Sequence, residues 1–237
     1  MENNLDLKKI KHWVFDLDNT LYPASSNLFS KIDIRMKEFI IHKLNVGAET
    51  AYKIQKSYYI EYGTTLSGLM INNNIIPEEF LEYVHNIDTS SLNVDLRLKK
   101  VLKLLPGKIY IYTNGSKQHA INVMKRLEIE KYIDKIFDIK SASYIPKPSK
   151  ESLDIFIKTY NINPKEAVFF EDIPKNLINA KKVGFKTILI KSDFHPDKNM
   201  KFINNENANN EYIINIFATN YNILNVEHGT ATVEFIT

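Results

Sequence analysis

The segment Phe15-Asp16-Leu17-Asp18-Asn19-Thr20 closes an apolar run, Ile10-Lys11-His12-Trp13-Val14-Phe15, with the length and composition of a buried strand. Two carboxylates stand at the end of that run with one apolar residue between them. In an extended chain, alternation puts Asp16 and Asp18 on one side and Leu17 on the other. Two like charges that close are unfavourable unless a cation or a proton sits between them. A core strand ending in paired acids therefore points to a divalent metal site at the carboxyl edge of a sheet, where open α/β folds bind ligands. Asp, Asn and Thr are also ordinary turn residues, so this segment alone reads equally well as a solvated strand-to-turn junction.

The chain of 237 residues has room for one ordinary domain plus an insert. Hydrophobic content of 44% and charged content of 25% fit a globular protein with a packed core. A net charge of +3 is too small to argue for nucleic acid or an anionic membrane as partner. Cysteine is absent, which excludes disulfides and thiolate metal sites. The first residues, Met-Glu-Asn-Asn-Leu-Asp-Leu-Lys-Lys, carry no long apolar region, and no segment approaches the roughly 20 apolar residues that span a bilayer. A cytoplasmic location, no membrane and no nucleic acid are the expectations.

After Leu21-Tyr22-Pro23 the period changes. Leu28, Ile32, Met36, Phe39, Ile40 and Leu44 recur at helical spacing, and residues 48–62 continue as a second helix ending near Gly63. Thr64-Thr65-Leu66-Ser67-Gly68 reads as a loop or as a turn into a short helix. Pro77-Glu78-Glu79 opens another helix, with Pro at its first turn and acids at the positive end of the dipole. Residues 23–92 thus form an all-helical insert. From residue 93 strands and helices alternate: helix 95–105, strand 108–113, helix 117–127, strand 136–139, helix 150–160, strand 167–170, helix 175–183 and strand 187–190. Strands separated by helices imply an α/β fold with a doubly wound parallel sheet. The core domain would comprise residues 1–22 and 93–225. Residues 199–210 read as an Asn-rich loop, 211–224 as a terminal helix, and the tail 226–237 has no assigned structure.

Candidate groups fall at the carboxyl ends of four strands: Asp16 with Asp18, Thr113, Lys147 just before a helix, and Glu171 with Asp172. In a parallel sheet these ends face one crevice. They offer acids for a metal, a hydroxyl and a turn of amides for an anion, and an ammonium for the same anion. The helix starts after Ser116 and Ser149 add partial positive charge. Phosphoryl transfer uses all of these, since a metal neutralises phosphate charge, donors cradle its oxygens and a carboxylate attacks phosphorus.

The set Asp16-Leu17-Asp18-Asn19-Thr20, Thr113-Asn114-Gly115, Lys147-Pro148 and Phe170-Glu171-Asp172 resembles, in order, the four motifs of the haloacid dehalogenase superfamily, from the first strand to about residue 190. The helical insert after the first motif resembles that family's C1 cap. Leu21-Tyr22-Pro23, Ile34-Arg35-Met36, Tyr62-Gly63-Thr64-Thr65-Leu66-Ser67-Gly68 and Val84-His85-Asn86-Ile87-Asp88 are similar to the pyrimidine 5'-nucleotidase branch. The resemblance implies Asp16 as nucleophile and Asp18 as general acid and base. It implies Mg2+ held by Asp16, the Asp18 backbone carbonyl and Asp172, with Glu171 as a possible further ligand. Thr113, Asn114 and Lys147 would bind the phosphate of a small phosphorylated metabolite, and Thr65 its leaving group. The substrate expected is a nucleoside 5'-monophosphate, with a sugar phosphate or phosphoglycolate as alternative. A haloacid dehalogenase needs neither a metal nor the second acid, so Asp18 and Asp172 argue against it. The intact acids and Lys147 argue against a non-catalytic interaction protein, while the unassigned tail leaves room for a partner. His12, His85, His119 and His195 are not spaced as a metal set and read as structural or surface residues. Tyr58, Tyr59 and Tyr62 read as helix packing.

Overall fold

The computed structural model describes residues 9–191 and 232–235. Along the chain come β1 (His12–Phe15), α1 (Leu28–Leu44), α2 (Ala48–Tyr62), α3 (Thr65–Asn73), α4 (Pro77–His85), α5 (Leu96–Leu104), β2 (Lys108–Tyr112), α6 (Lys117–Leu127), β3 (Lys135–Phe137), α7 (Lys150–Tyr160), β4 (Ala167–Glu171), α8 (Pro174–Val183), β5 (Lys186–Lys191) and β6 (Thr232–Phe235). The strand order is β3-β2-β1-β4-β5-β6; the first five strands are parallel and β6 is antiparallel to β5. The sheet is α/β and doubly wound, as the alternation implied.

Both faces of the sheet are covered, which explains why its central strands are apolar at successive positions rather than alternately. Trp13, Phe15, Ile109, Ile111, Val168 and Phe170 face α5 and α6. Val14, Tyr110, Tyr112 and Phe169 face α7 and α8. On that second face Phe156 of α7 is fully buried among Tyr110, Tyr112, Phe137 and Tyr160. Helix starts follow local chemistry. Asp95 accepts from the amides of Arg97 and Leu98, and Ser116 and Ser149 cap α6 and α7 in the same way. Gly107 precedes β2 with φ +89°, and a Cβ there would come within 2.4 Å of the Lys11 carbonyl oxygen, which accepts the amide of Lys108.

The helices α1 to α4 build an apolar cluster of their own around Ile32, Phe39, Ile40, Leu69, Phe80 and Val84. Of the two readings of Thr64-Thr65-Leu66-Ser67-Gly68, the turn into a short helix holds: the segment starts α3. The Thr64 hydroxyl accepts the Ser67 amide at 3.1 Å, Leu66 and Leu69 are buried, and α3 packs so tightly on α2 that a Cβ at Gly68 would meet Tyr58 Cγ at 2.3 Å. The small and polar residues that signal a turn serve here as a cap and a close helix contact. The third strand ends at Phe137 rather than Ile139, because the Asp138 carboxylate accepts the amides of Lys117 and Ser141 instead of continuing the ladder. The Asn-rich loop and the helix at 211–224 lie outside the described residues, whereas the tail contributes β6. Among the described residues no helix is long and apolar enough to cross a membrane.

Deleting the Phe156 ring removes a fully buried aromatic from a rigid cluster and leaves a cavity. Phe156→Ala should lower the unfolding free energy by about 3–5 kcal/mol, read as a lower urea midpoint at unchanged m.

Candidate active site

Four strand ends converge as the parallel topology requires. The Asp16 amide donates to the Phe170 carbonyl oxygen at 2.9 Å, which prolongs the β1–β4 ladder by one residue and fixes Asp16 at the sheet edge. Lys147 is almost fully buried, with its Nζ over the faces of Tyr112 and Phe169. That ammonium donates to Asp16 Oδ1 at 2.6 Å, to Glu171 Oε2 at 2.6 Å and to the Tyr112 carbonyl oxygen at 2.9 Å. Asn114 sets the Lys147 backbone: its Oδ1 accepts the Lys147 amide at 2.8 Å and its Nδ2 donates to the Lys147 carbonyl at 3.2 Å. Thr113 is buried, and its Oγ1 accepts the Gly115 amide at 2.9 Å.

Asp16, Glu171 and Asp172 bring one carboxylate oxygen each to within 4.8 Å of one another. Burial, reinforced by Glu171 nearby, pushes Asp16 up to about 7; burial and the neighbouring Asp172 push Glu171 up to about 7, against the pull of Lys147. Burial opposes the charge on Lys147, yet its two carboxylate partners raise it above the ordinary lysine value. The cluster therefore carries more negative charge than one ammonium neutralises. Its donors are hard oxygens, the set that suits Mg2+ or Ca2+.

Asp18 takes different partners. Its Oδ1 accepts the Tyr22 hydroxyl at 2.5 Å and meets His119 Nε2 at 2.7 Å. Burial alone would raise Asp18, but His119 and these hydrogen bonds hold it below the usual carboxylate range. His85, from the last turn of α4, stacks on His119 at 4.4 Å between ring centroids and bonds through Nδ1 to the Ser116 hydroxyl at 2.9 Å. Burial and the neighbouring His119 push His85 down to about 3, so it is neutral.

Asp16, Asp18, Thr113, Asn114, Lys147, Glu171 and Asp172 line one cavity of about 150 Å³, whose other wall is formed by α1 to α4. Thr65 lines it too, but its side chain is buried and its Oγ1 donates to the Gln55 carbonyl oxygen at 3.1 Å, tying α3 to α2.

Residues 13–190 match the sequence profile of the haloacid dehalogenase-like hydrolases. The chain belongs to that family. It is 31% identical over 140 residues to "Phosphate metabolism protein 8" of Saccharomyces cerevisiae; this match covers 53% of the chain and 42% of the relative, less than half of its length. It is 24% identical over 238 residues to "Glyceraldehyde 3-phosphate phosphatase" of Pyrococcus furiosus, covering 94% of the chain and 97% of the relative. The fold resembles that of the crystallised HAD phosphatase from Thermococcus onnurineus, with a TM-score of 0.53, 20% identity, and coverage of 78% of this chain and 87% of that one.

In this hydrolase the residues that sequence reading missed are those around Asp18. His85 and His119 are neither on the surface nor merely packing, since both stand at the carboxyl edge of the sheet. The available signal was positional: Tyr22 lies one helical turn beyond Asp18, and His119 lies in the first turn of a helix that starts at a strand's carboxyl end.

Removing the ammonium from between two buried carboxylates should be severe. Lys147→Met should lose about 3–5 kcal/mol of stability in metal-free buffer at neutral pH. Asp16 and Glu171 have raised folded pKa values near 7, so their contribution to stability is full below the unfolded carboxylate range and is lost as pH rises through about 7. The deficit of Lys147→Met relative to wild type should therefore shrink on acidification from neutral pH toward pH 5, as measured by urea denaturation at each pH.

Proposed function

We propose that this chain is a magnesium-dependent phosphomonoesterase that works through an aspartyl-phosphate on Asp16. We propose further that its substrate is a nucleoside 5'-monophosphate, as in the pyrimidine 5'-nucleotidase branch. The observation that carries the first part is the buried lysine shared by two carboxylates on the floor of the cavity. An Asp16 oxygen attacks phosphorus, the bond from phosphorus to the leaving oxygen breaks, and Asp18 gives that oxygen its proton. Water then attacks the aspartyl-phosphate while Asp18 takes up a proton, which releases inorganic phosphate and restores Asp16. Lys147 and Thr113 hold phosphate oxygens, and Asn114 keeps Lys147 in place through its backbone. Asp16, Asp172 and the Asp18 backbone carbonyl would hold Mg2+ with Glu171 beside them, and the bound ion neutralises phosphate charge.

Residues 23–92 act in this reading as a cap that swings on short connections near Pro23 and Asn93 and closes over the substrate. The nucleotide part rests on the cap wall of the cavity, where Phe29, Ile32, Met36, Leu66, Phe80 and Val84 offer an apolar surface for a flat base. A triose phosphate, the substrate in the name of the archaeal relative, is the second reading; it brings no apolar body to that wall.

Para-nitrophenyl phosphate with and without Mg2+, followed by a panel of nucleoside monophosphates and sugar phosphates, tests both parts. Chelation should abolish turnover and Mg2+ should restore it; full activity after exhaustive chelation sinks the metal. Asp16→Asn should fold and lose all measurable turnover, because an amide cannot form the covalent intermediate. Asp18→Asn should cost about 10²–10⁴ in rate on alkyl phosphates and clearly less on activated aryl phosphates, whose leaving group needs no proton. Equal losses on both classes would remove Asp18 from that role.

A further inference from the structure

Gln55 of α2 lines the cavity and is 2% exposed. Its Nε2 donates to the Asp33 carbonyl oxygen at 3.0 Å and to Asp33 Oδ1 at 2.9 Å. Both partners are acceptors only, so the amide has one orientation: turning it over would set oxygen against two oxygens. Lys56 holds Asp33 in turn, with Nζ 2.8 Å from Oδ1. The remaining polar atom of this cavity-lining side chain, Gln55 Oε1, is buried and has no hydrogen-bond partner. Across the cavity, in the first turn of α8, Asn176 is 7% exposed and its Oδ1 is likewise unpartnered. Buried polar groups in folded proteins are almost always paired, and leaving one unpaired is destabilising. Gln55 Oε1, whose amide orientation Asp33 fixes, is an acceptor that lacks a donor, and the side chain lines the cavity that a substrate enters.

We infer that Gln55 is a specificity-determining residue that accepts a hydrogen bond from an N–H on the base edge of the leaving group, whether ring N–H or exocyclic amino group. The partner chemistry is a flat heterocycle with an N–H on its edge, seated against the apolar wall of Phe29, Met36 and Phe80. This role had fallen to Thr65 on sequence grounds. The Thr65 hydroxyl instead donates to the backbone of Gln55 and so helps hold Gln55 in place. A site built to accept such a bond rejects analogues lacking the donor far more strongly than an apolar pocket rejects a missing methylene. The inference rests on the nucleotide reading above.

The test uses two substrate pairs with the full-length enzyme: uridine 5'-monophosphate against its 3-methyl derivative, and adenosine 5'-monophosphate against its N6,N6-dimethyl derivative. In each pair methylation removes the edge donor and leaves the phosphate untouched. For at least one pair the wild type should show kcat/KM lower by about tenfold or more for the methylated member. Gln55→Met, which keeps roughly the side-chain volume and removes the acceptor, should bring that ratio to within about threefold of one, whatever happens to the absolute rates. Turnover of nucleotides with no discrimination in either pair overturns the inference and leaves the nucleotide reading standing. Equal discrimination in wild type and Gln55→Met assigns the effect to the bulk of the methyl group and also overturns it. If neither unmodified nucleotide is turned over faster than para-nitrophenyl phosphate, the nucleotide reading falls and takes the inference with it. The wild-type comparison stands even if Gln55→Met does not fold.

Discussion

One ammonium group, buried and shared by two carboxylates, sets the terms for everything around it. Lys147 cannot leave Asp16 and Glu171 without stranding two carboxylates in a buried setting, and its Nζ rests over the rings of Tyr112 and Phe169. The backbone serves this arrangement. The Tyr112 carbonyl takes the third bond of Nζ, and the Asn114 amide clamps the peptide groups of Lys147 at both ends. An anionic ligand arriving here meets a lysine already engaged and two acids pushed up to about 7. The cluster favours a cation or a proton first and an anion afterwards. That order suits a site where a metal and a phosphate must share a small space.

Asp18 obeys a separate rule. Although only one residue separates it from Asp16, its carboxylate joins Tyr22 and His119. Two acids from one strand end thus sit in opposite electrostatic settings, one raised and one lowered. Taken by themselves, these shifts run opposite to the proposed roles: Asp16 must ionise to attack, which a cation bound beside it would favour, and Asp18 must take up a proton before it can give one.

The sheet was legible in the sequence because its strands are short apolar runs closed by acids, Thr-Asn-Gly or Gly, and its helices are strongly periodic. Helices at 117–127 and 150–160 begin and end where Ser caps and apolar spacing put them. The convergence of Asp16, Thr113 and Glu171 follows from parallel topology, while Lys147, in the segment between β3 and α7, is brought to them by the Asn114 side chain. Pairings between distant side chains were not legible. His119 is 101 residues from Asp18, and nothing in local composition marks it. The Thr-Thr-Leu-Ser-Gly segment left loop and short helix both open because it carries turn chemistry; its tertiary setting, pressed on Tyr58 and capped by Thr64, makes it a helix. Gln55 carried no signal at all until Asp33 was seen to fix its amide.

The placement of β1 also governs how the molecule comes together. It is the earliest strand in the chain, yet it pairs with residues 108–112 on one side and 167–171 on the other. The bond from Lys147 to Asp16 closes 131 residues of sequence. Such contacts give a high contact order, and loops of that size must close before any of them forms. On the ribosome the first strand waits with both edges open until its second neighbour has been made, while α1 to α4, whose contacts are local, can pack meanwhile. The acid at its tip finds its lysine only when nearly the whole sheet is in register, so a partly folded chain holds none of the assembled chemistry.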